Sequence, residues 1–368
     1  MQTRADRRNC VYKWTVPILV VLVLLSAITE FFHLSMVWVF ITSCLVIIPL
    51  AGVMGKSTED IAEFAGPRIG GLISATFGNA VELIIGILAL KNGLTTLVKA
   101  SITGSILGNL LFVLGVSFFV GGIRHPIQTF NIRAARNNAS LLLMSVFVAF
   151  ILPRFFVLGV AGKQSTLAAV AAVVSFVLYL SGLYFALFTH RMLVTTSVGG
   201  DFSEQRGGIK ITRTVPWSAV LRLSVATVLV GIESEWLVGS INEFGHVLGW
   251  SEMFLGVIVI AIVGNAAEHA SAVWMAWRNH MELSLEIAVG SSLQVAMFVA
   301  PILFATSLLV HHPMPLLFTG PELASMGAAV LLVTLLMMDG ESNWLEGAMA
   351  VGAYLVMAVG FFNISGIG

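Results

Sequence analysis

Long apolar stretches separated by short polar segments run through almost the whole chain of 368 residues. A helix that crosses a bilayer needs about 20 mostly apolar residues, and the pattern predicts about eleven such helices. The predicted spans are 14–32, 36–54, 69–90, 94–121, 140–157, 166–188, 215–232, 253–277, 283–309, 321–338 and 344–362. The predicted fold class is therefore an all-α polytopic membrane protein.

The composition excludes several other classes of protein. Hydrophobic residues make up 58% of the chain even before its 35 glycines are counted, and charged residues make up 10%; soluble domains have roughly 45–50% with glycine included, and roughly 25%. A soluble domain of this size has too little interior to bury so much apolar surface. Basic and acidic residues balance at 19 each, so no basic excess favours nucleic acid as a partner. We expect a lipid bilayer around the protein, and the oligomeric state stays open.

The positions of lysine and arginine orient the predicted helices. If the N-terminus is cytoplasmic, fifteen of the 19 basic residues lie on the cytoplasmic side. Cytoplasmic loops are usually the basic ones, so we expect the N-terminus inside, in the inner membrane of a prokaryote; an organellar membrane remains an alternative. The segment after span 215–232 is expected to be an acidic outer loop that carries Glu233, Glu235, Glu243 and Glu252.

A short motif occurs twice along the chain. Gly-Asn-Ala-Val-Glu at 78–82 recurs as Gly-Asn-Ala-Ala-Glu at 264–268, and the same shift carries Gly-Ser at 104–105 onto Gly-Ser at 290–291. Two matches at one spacing indicate an internal duplication. The two spans that hold the copies at 78–82 and 264–268 are five crossings apart, so they run in opposite directions through the membrane. Inverted repeats of this kind are typical of secondary transporters.

The duplication divides the chain into four predicted segments. Residues 1–33 are a cytoplasmic N-terminus and an extra helix, and residues 34–189 are the first five-helix repeat. Residues 190–214 are a polar cytoplasmic linker, and residues 215–368 are the second, inverted repeat.

Two glutamates, Glu82 and Glu268, lie near the middle of otherwise apolar spans. An acidic residue at that depth costs roughly 2.5–3.5 kcal/mol, so it is rarely kept without a role. A neutral, hydrogen-bonded glutamate is the alternative for either one alone. Two at equivalent positions indicate a functional site.

Polar residues around these glutamates form a candidate cation-binding set. Asn79 and Asn265 each lie three residues before a glutamate and so share its helix face. Further candidate ligands on the following helices are Ser105, Asn109, Ser291, Ser292 and Gln294. Gly78 and Gly264 are expected to loosen the backbone and to free carbonyl groups. An all-oxygen set suits a hard cation such as Ca²⁺, whereas Zn²⁺ and copper prefer histidine or cysteine.

His269 follows Glu268 but points about 100° away from it on a helix. It is a candidate for tuning or relaying protons, because histidine titrates near neutral pH. A hydrogen-bonded interior histidine is the equally weighted alternative.

The sequences at 78–83, 104–109, 264–269 and 290–294 resemble the two α-repeats of the calcium/cation antiporter superfamily, in its cation/proton exchanger branch. The resemblance covers almost the whole chain and implies Ca²⁺/H⁺ antiport, with Glu82 and Glu268 binding the cation and being protonated in exchange. It assigns supporting roles to Asn79, Ser105, Asn109, Asn265, Ser291 and Gln294. The hydroxyl-rich, proline-containing pattern typical of the sodium-driven branch is absent, which favours protons as the driving ion.

Charge balance gives the same mechanism from the residues themselves. Two carboxylates carry a charge of −2, which one Ca²⁺ or two protons neutralise, and binding both is unfavourable by mutual repulsion. Competition of this kind couples the two fluxes. The open alternatives are a Na⁺-coupled exchanger, an exchanger of another cation such as Mn²⁺, Na⁺ or K⁺, a cation channel and an intramembrane dicarboxylate hydrolase. We expect no enzyme activity and no cofactor.

Overall fold

A computed structural model describes residues 4–157, 164–185 and 216–364. The predicted linker, 190–214, lies outside the described residues. Twelve helices account for most of the described residues: α1 Arg4–Phe31, α2 Met36–Phe77, α3 Ala80–Lys91, α4 Thr95–Arg124, α5 Ile132–Phe156, α6 Gln164–Tyr184, α7 Trp217–Leu248, α8 Glu252–Gly264, α9 Ala266–Trp277, α10 Met281–Leu309, α11 Gly320–Leu336 and α12 Trp344–Ile364. Two short strands, β1 Gln128–Thr129 and β2 Glu341–Ser342, pair antiparallel.

The predicted all-α membrane architecture is confirmed. Within the described ranges, seven helices are long and apolar enough to cross a bilayer, or up to nine if each of two bent pairs is one span. Two shorter apolar helices, Pro17–Phe31 and Gly320–Leu336, accompany them. Each predicted span overlaps a helix or a bent pair, while the count of eleven and the inverted arrangement stay predictions.

The predicted end of the span 215–232 is wrong, because α7 continues sixteen residues beyond position 232. Glu233 and Glu243 therefore belong to this helix and not to an outer loop. Glu233 is 1% exposed, and Ser26 Oγ on α1 donates a hydrogen bond of 2.7 Å to its Oε2. A buried carboxyl group with a hydrogen-bond partner is tolerated inside a helix, whereas Glu243 lies on the exposed face.

Helices α4 and α10 form the centre of the bundle. In each of these two helices, 72% of an 18-residue apolar stretch is buried inside the protein, compared with 22–44% in the other long apolar helices. Gly104 allows α8 to cross α4 closely, since a Cβ atom there would overlap the Val257 carbonyl group. The glycine therefore packs two helices together, as small residues commonly do in membranes.

Irregular backbone occurs at equivalent places in both copies of the repeated motifs. Helix α3 is bent by 43° from the end of α2, and α9 is bent by 64° from α8. Helices α4 and α10 each contain a π-helical turn, at Gly108–Val113 and Val295–Val299. Such turns are rare and frequently occur at functional sites. The duplicated segments therefore share their departures from regular helix as well as their sequence.

Candidate cation-binding site

The two glutamates lie at the breaks in the bent helices. Glu82 is in the first turn of α3, and Glu268 is in the first turn of α9. A helix N-terminus presents free N–H groups and a partial positive charge, which favour a carboxylate. The breaks therefore bring two acidic groups into the bundle at places where their charge is best tolerated.

The asparagines, and not the glycines, have the non-helical backbone at these breaks. Asn79 has φ −99° and ψ 17°, and Asn265 has φ −100° and ψ 7°. Gly78 keeps helical angles of −55° and −42°, and Gly264 is the last residue of α8. The departure from helical angles is thus at the residues that directly follow Gly78 and Gly264, and the loosening of the backbone by the glycines themselves stays a prediction.

Each glycine lies beside the glutamate of the other motif copy, and Gly264 leaves the space that Glu82 occupies. A Cβ atom on Gly264 would lie 3.2 Å from Glu82 Cγ. A Cβ atom on Gly78 would lie 3.9 Å from Glu268 Oε1. Each acidic side chain therefore packs across the other copy's backbone, and both glutamates belong to one site.

Glu82 is held by hydrogen bonds from both motif copies. Ser105 Oγ donates to its Oε1 at 2.9 Å, and Asn265 Nδ2 donates to the same oxygen at 2.7 Å. Asn265 Nδ2 also lies 2.9 Å from Ser105 Oγ and 2.9 Å from the Ala261 carbonyl oxygen. Asn265 is 2% exposed and Ser105 4%, so these bonds are shielded from solvent.

Glu268 has a different environment. Its Oε2 is buried and, among the described residues, has no hydrogen-bond partner. The carboxyl group lies near Ser291 and near the carboxyl group of Glu82. A buried polar atom without a partner in the protein calls for an explanation, such as an ion or water that completes it.

Asn79 repeats this incomplete pattern. Its Nδ2 donates to Gln294 Oε1 at 2.5 Å, while its Oδ1 is buried and unpartnered within the described chain. The side chain is 0% exposed. The site thus contains an amide oxygen and a carboxylate oxygen that no described side chain satisfies, which is the donor chemistry of a hard cation.

A second polar chain adjoins the glutamates. Asn109 Nδ2 donates to Ser291 Oγ at 3.1 Å, and His269 Nε2 lies 3.1 Å from Asn109 Oδ1. His269 is 8% exposed and is linked to the site through this asparagine. Ser292 does not join the cluster, because its Oγ donates to the Ala288 carbonyl of its own helix.

The site is closely packed. A cavity of about 10 Å³ lies beside Glu82, between Ser101, Ser105 and Gly264, which is about the space of one water molecule. In the part of the chain that the structure describes, no group of three or more His, Cys, Asp or Glu side chains is arranged to hold a metal ion. Any cation there would rely on the two carboxylates together with amide and hydroxyl oxygens.

Sequence analysis overlooked two further acidic residues on α10. Glu282 and Glu286 each have a buried Oε1 without a partner among the described residues. Their four-residue spacing makes Glu282 and Glu286 neighbours on one face of α10, and this pair of carboxyl groups at the start of an apolar span was the signal that could have found them.

Comparison with known proteins identifies the family. A sequence profile described as "Sodium/calcium exchanger protein" matches residues 35–188 and 218–363. The chain belongs to this family. The match falls in two stretches, and each stretch contains one copy of the glutamate motif.

Relatives in the sodium/calcium exchanger protein family are similar over nearly the full chain. The Ca²⁺/H⁺ antiporter ChaA of Bacillus subtilis (strain 168) is 48% identical over 342 residues, which cover 92% of this chain and 95% of that protein. The Ca²⁺/H⁺ antiporter of Aphanothece halophytica is 41% identical over 352 residues, covering 92% and 93%. The resemblance to the cation/proton exchanger branch is thereby confirmed.

The fold agrees with a solved structure of a relative. Native YfkE is 44% identical, with a TM-score of 0.81, and the match covers 95% of this chain and 99% of that one. The overall fold of this chain, which includes the bent helices around the two glutamates, therefore matches that of a solved relative.

Proposed function

We propose that this multi-pass membrane protein is a secondary active transporter that exchanges Ca²⁺ for H⁺ across a bacterial inner membrane. Glu82 and Glu268 bind the cation or protons competitively. The observation that carries the proposal is the convergence of two carboxylates, one from each motif copy, in one cluster of amide and hydroxyl groups. The names of the relatives, Ca²⁺/H⁺ antiporters at 48% and 41% identity, support the same pair of ions.

The donor set supports a hard divalent cation. Ca²⁺ takes six to eight oxygen ligands in a flexible geometry. Two carboxylates supply up to four oxygens, and Asn79 Oδ1 adds another that is already without a partner. Ser105 and Ser291 place hydroxyl groups beside the two glutamates.

Charge explains the coupling. Two ionised carboxylates enclosed without a cation are unfavourable, because each loses hydration and repels the other. One Ca²⁺ cancels both charges, and two protons do the same. Only the neutral, occupied site passes easily between the two sides, so each ion crosses when the other has left.

The helix breaks supply the freedom to move. Discontinuous helices at the centre of a transporter commonly surround the ion site while one bundle rocks against the other. Here the breaks lie at Asn79 and Asn265, directly beside the glutamates. We infer that α3 and α9 change their tilt when the site is reloaded, which opens it to one side at a time.

The proposal includes neither a cofactor nor an enzymatic reaction. A dicarboxylate hydrolase needs substrate access to the acidic pair, and the space beside Glu82 is about 10 Å³. A Na⁺-coupled exchanger, or an exchanger of Mn²⁺ or K⁺, shares the carboxylate chemistry. These alternatives are distinguished by flux.

The test is Ca²⁺ uptake into proteoliposomes under an imposed pH gradient, with and without Na⁺. The expected result is uptake that follows the pH gradient alone. Uptake that requires Na⁺ would replace the proposal with sodium exchange. Ca²⁺ flux that ignores both gradients, with no proton movement, would replace it with a channel.

A further inference from the structure

An apolar groove runs between α4 and α9 on the surface of the bundle. It has a volume of about 500 Å³ and is open along one side, within the range of roughly 300–1,000 Å³ that is usual for small-molecule sites. Its walls include Val113, Val116 and Val120 on α4 and Ala270, Val273 and Trp277 on α9. His269 lines it as well, so the groove reaches from the neighbourhood of the cation-binding site toward the ends of both helices.

Two arginines lie at the far end of the groove. Arg124 ends α4, and its Cζ lies 4.7 Å from the centroid of the Trp277 ring. Arg278 follows α9, and its Cζ lies 5.8 Å from the centroid of the Trp274 ring. Both distances are within the range of a cation–π contact. Tryptophan and arginine at helix ends are typical of the boundary between the hydrocarbon core and the lipid headgroups.

These guanidinium groups have no acidic partner within the described residues. The ion pairs found there join Lys56 to Glu59 and to Asp60, and Arg222 to Asp60. Arg124 and Arg278 are exposed, and the distribution of basic residues predicts that they face the cytoplasm. Two positive charges without an acidic partner among the described residues therefore lie at one end of an apolar groove on the surface of the bundle.

We propose that this groove binds an anionic phospholipid. The phosphate lies against Arg124 and Arg278, and one acyl chain follows the groove toward His269. Guanidinium groups bind phosphate through paired hydrogen bonds, and basic pockets between membrane helices on the cytoplasmic side bind anionic headgroups. The apolar walls suit a hydrocarbon chain, and the unpaired charges select an anionic headgroup over a zwitterionic one. The lipid site is separate from Glu82 and Glu268.

The test measures lipid binding to the purified full-length protein by native mass spectrometry. Phosphatidylglycerol is titrated against phosphatidylcholine with matched acyl chains. The wild type is expected to prefer phosphatidylglycerol. The double variant Arg124→Ala/Arg278→Ala is expected to bind it on the order of 10- to 30-fold more weakly. Ala270→Phe, which fills the groove and keeps both arginines, is expected to weaken binding of both lipids.

Arg133→Ala is the matched control, because Arg133 is an exposed arginine on α5 away from the groove. It should keep the wild-type preference, and each variant is compared at an unchanged melting temperature and elution volume. An unchanged preference in the double variant overturns the proposal, as does equal binding of the two lipids by the wild type. Displacement of the lipid by glycerol phosphate alone overturns the acyl-chain contact. A disulfide formed between cysteines placed at position 270 of two copies shows that a second copy covers the groove, and this also overturns the proposal.

Discussion

The two glutamates come from copies of one motif but lie in different surroundings. Glu82 Oε1 accepts hydrogen bonds from Ser105 and Asn265. Glu268 Oε2 is buried without a partner among the described residues. The first carboxylate is thus held in place by the protein, whereas the second is left to be completed by an ion or a proton.

A few unmatched positions produce this difference. Gln294 occupies the position that corresponds to Gly108, and it accepts the hydrogen bond of Asn79. Asn79 therefore does not bond to Ser291 in the way that Asn265 bonds to Ser105. Ser291 instead accepts from Asn109, which in turn contacts His269. Duplicated sequence can therefore give two acidic groups of unequal freedom in one site.

The largest effect should come from removing either charge. Glu82→Gln and Glu268→Gln keep the side-chain shape, but each removes one of the two negative charges that neutralise Ca²⁺. Breaking a buried charge pair typically costs about 3–5 kcal/mol, so we expect Ca²⁺ transport to fall on the order of 100-fold or more. Proteoliposome flux measures this. Glu243→Gln, on the exposed face of α7, is the control and should transport normally; substantial transport by either site variant contradicts the shared site.

The equivalent serines give a sharper test of the asymmetry. Ser105 donates to a carboxylate at 2.9 Å, whereas Ser291 accepts a neutral bond from Asn109 at 3.1 Å. Hydrogen bonds to charged groups contribute about 1.5–3 kcal/mol and neutral ones about 0.5–1.5 kcal/mol. Ser105→Ala should therefore weaken Ca²⁺ affinity by roughly 10-fold or more, whereas Ser291→Ala should weaken it by roughly a few-fold. A calorimetric titration with Ca²⁺ measures both affinities. Equal losses of affinity in the two variants would contradict the proposed difference between the surroundings of Glu82 and Glu268.

A smaller effect is expected from Gln294→Ala, which releases Asn79. The lost bond is neutral, so a change of roughly 2- to 10-fold in Ca²⁺ affinity follows. Ser292→Ala on the same helix is the control, since Ser292 bonds only within α10. If both variants behave alike, the contact between Asn79 and Gln294 does not shape the site.

The smallest effect is expected from His269→Gln. Glutamine can still offer a hydrogen bond to Asn109, so the polar chain is kept without the imidazole. Because this neutral hydrogen bond is kept, we expect less than about a threefold change in flux, below the roughly 2- to 10-fold effect of losing such a bond, and an unchanged pH profile. A displaced pH profile would show that His269 relays or tunes protons, which is the other interpretation of its position.

The sequence was sufficient to predict the membrane fold and to single out two glutamates that the structure brings together, because both depend on local patterns. Each span predicted from an apolar run overlaps a helix or a bent pair of helices in the structure. Repetition of a motif at one spacing singled out Glu82 and Glu268. The prediction for the end of α7 was wrong because Glu233 was taken as a loop residue. Its hydrogen-bond partner, Ser26, lies 207 positions away, so no local pattern could show that Glu233 is buried inside a helix.

The hydrogen-bond pattern of the site could not be predicted for the same reason. Asn79 bonds to a residue 215 positions away, and Asn265 bonds to one 183 positions away. Such pairings depend on how the two motif copies are packed. Gly264 shows the same limit, since it provides space for Glu82 of the distant motif copy.

The central claim is that Ca²⁺ and protons compete for one pair of carboxylates. Proton release on addition of Ca²⁺ to the purified protein in weak buffer tests it most directly, because a cation that replaces protons must liberate them. The account predicts proton release by the wild type that grows as the pH is lowered, and none by the Glu82→Gln/Glu268→Gln double variant. Ca²⁺ binding to the wild type without proton release at any pH, or equal release by the double variant, would contradict it.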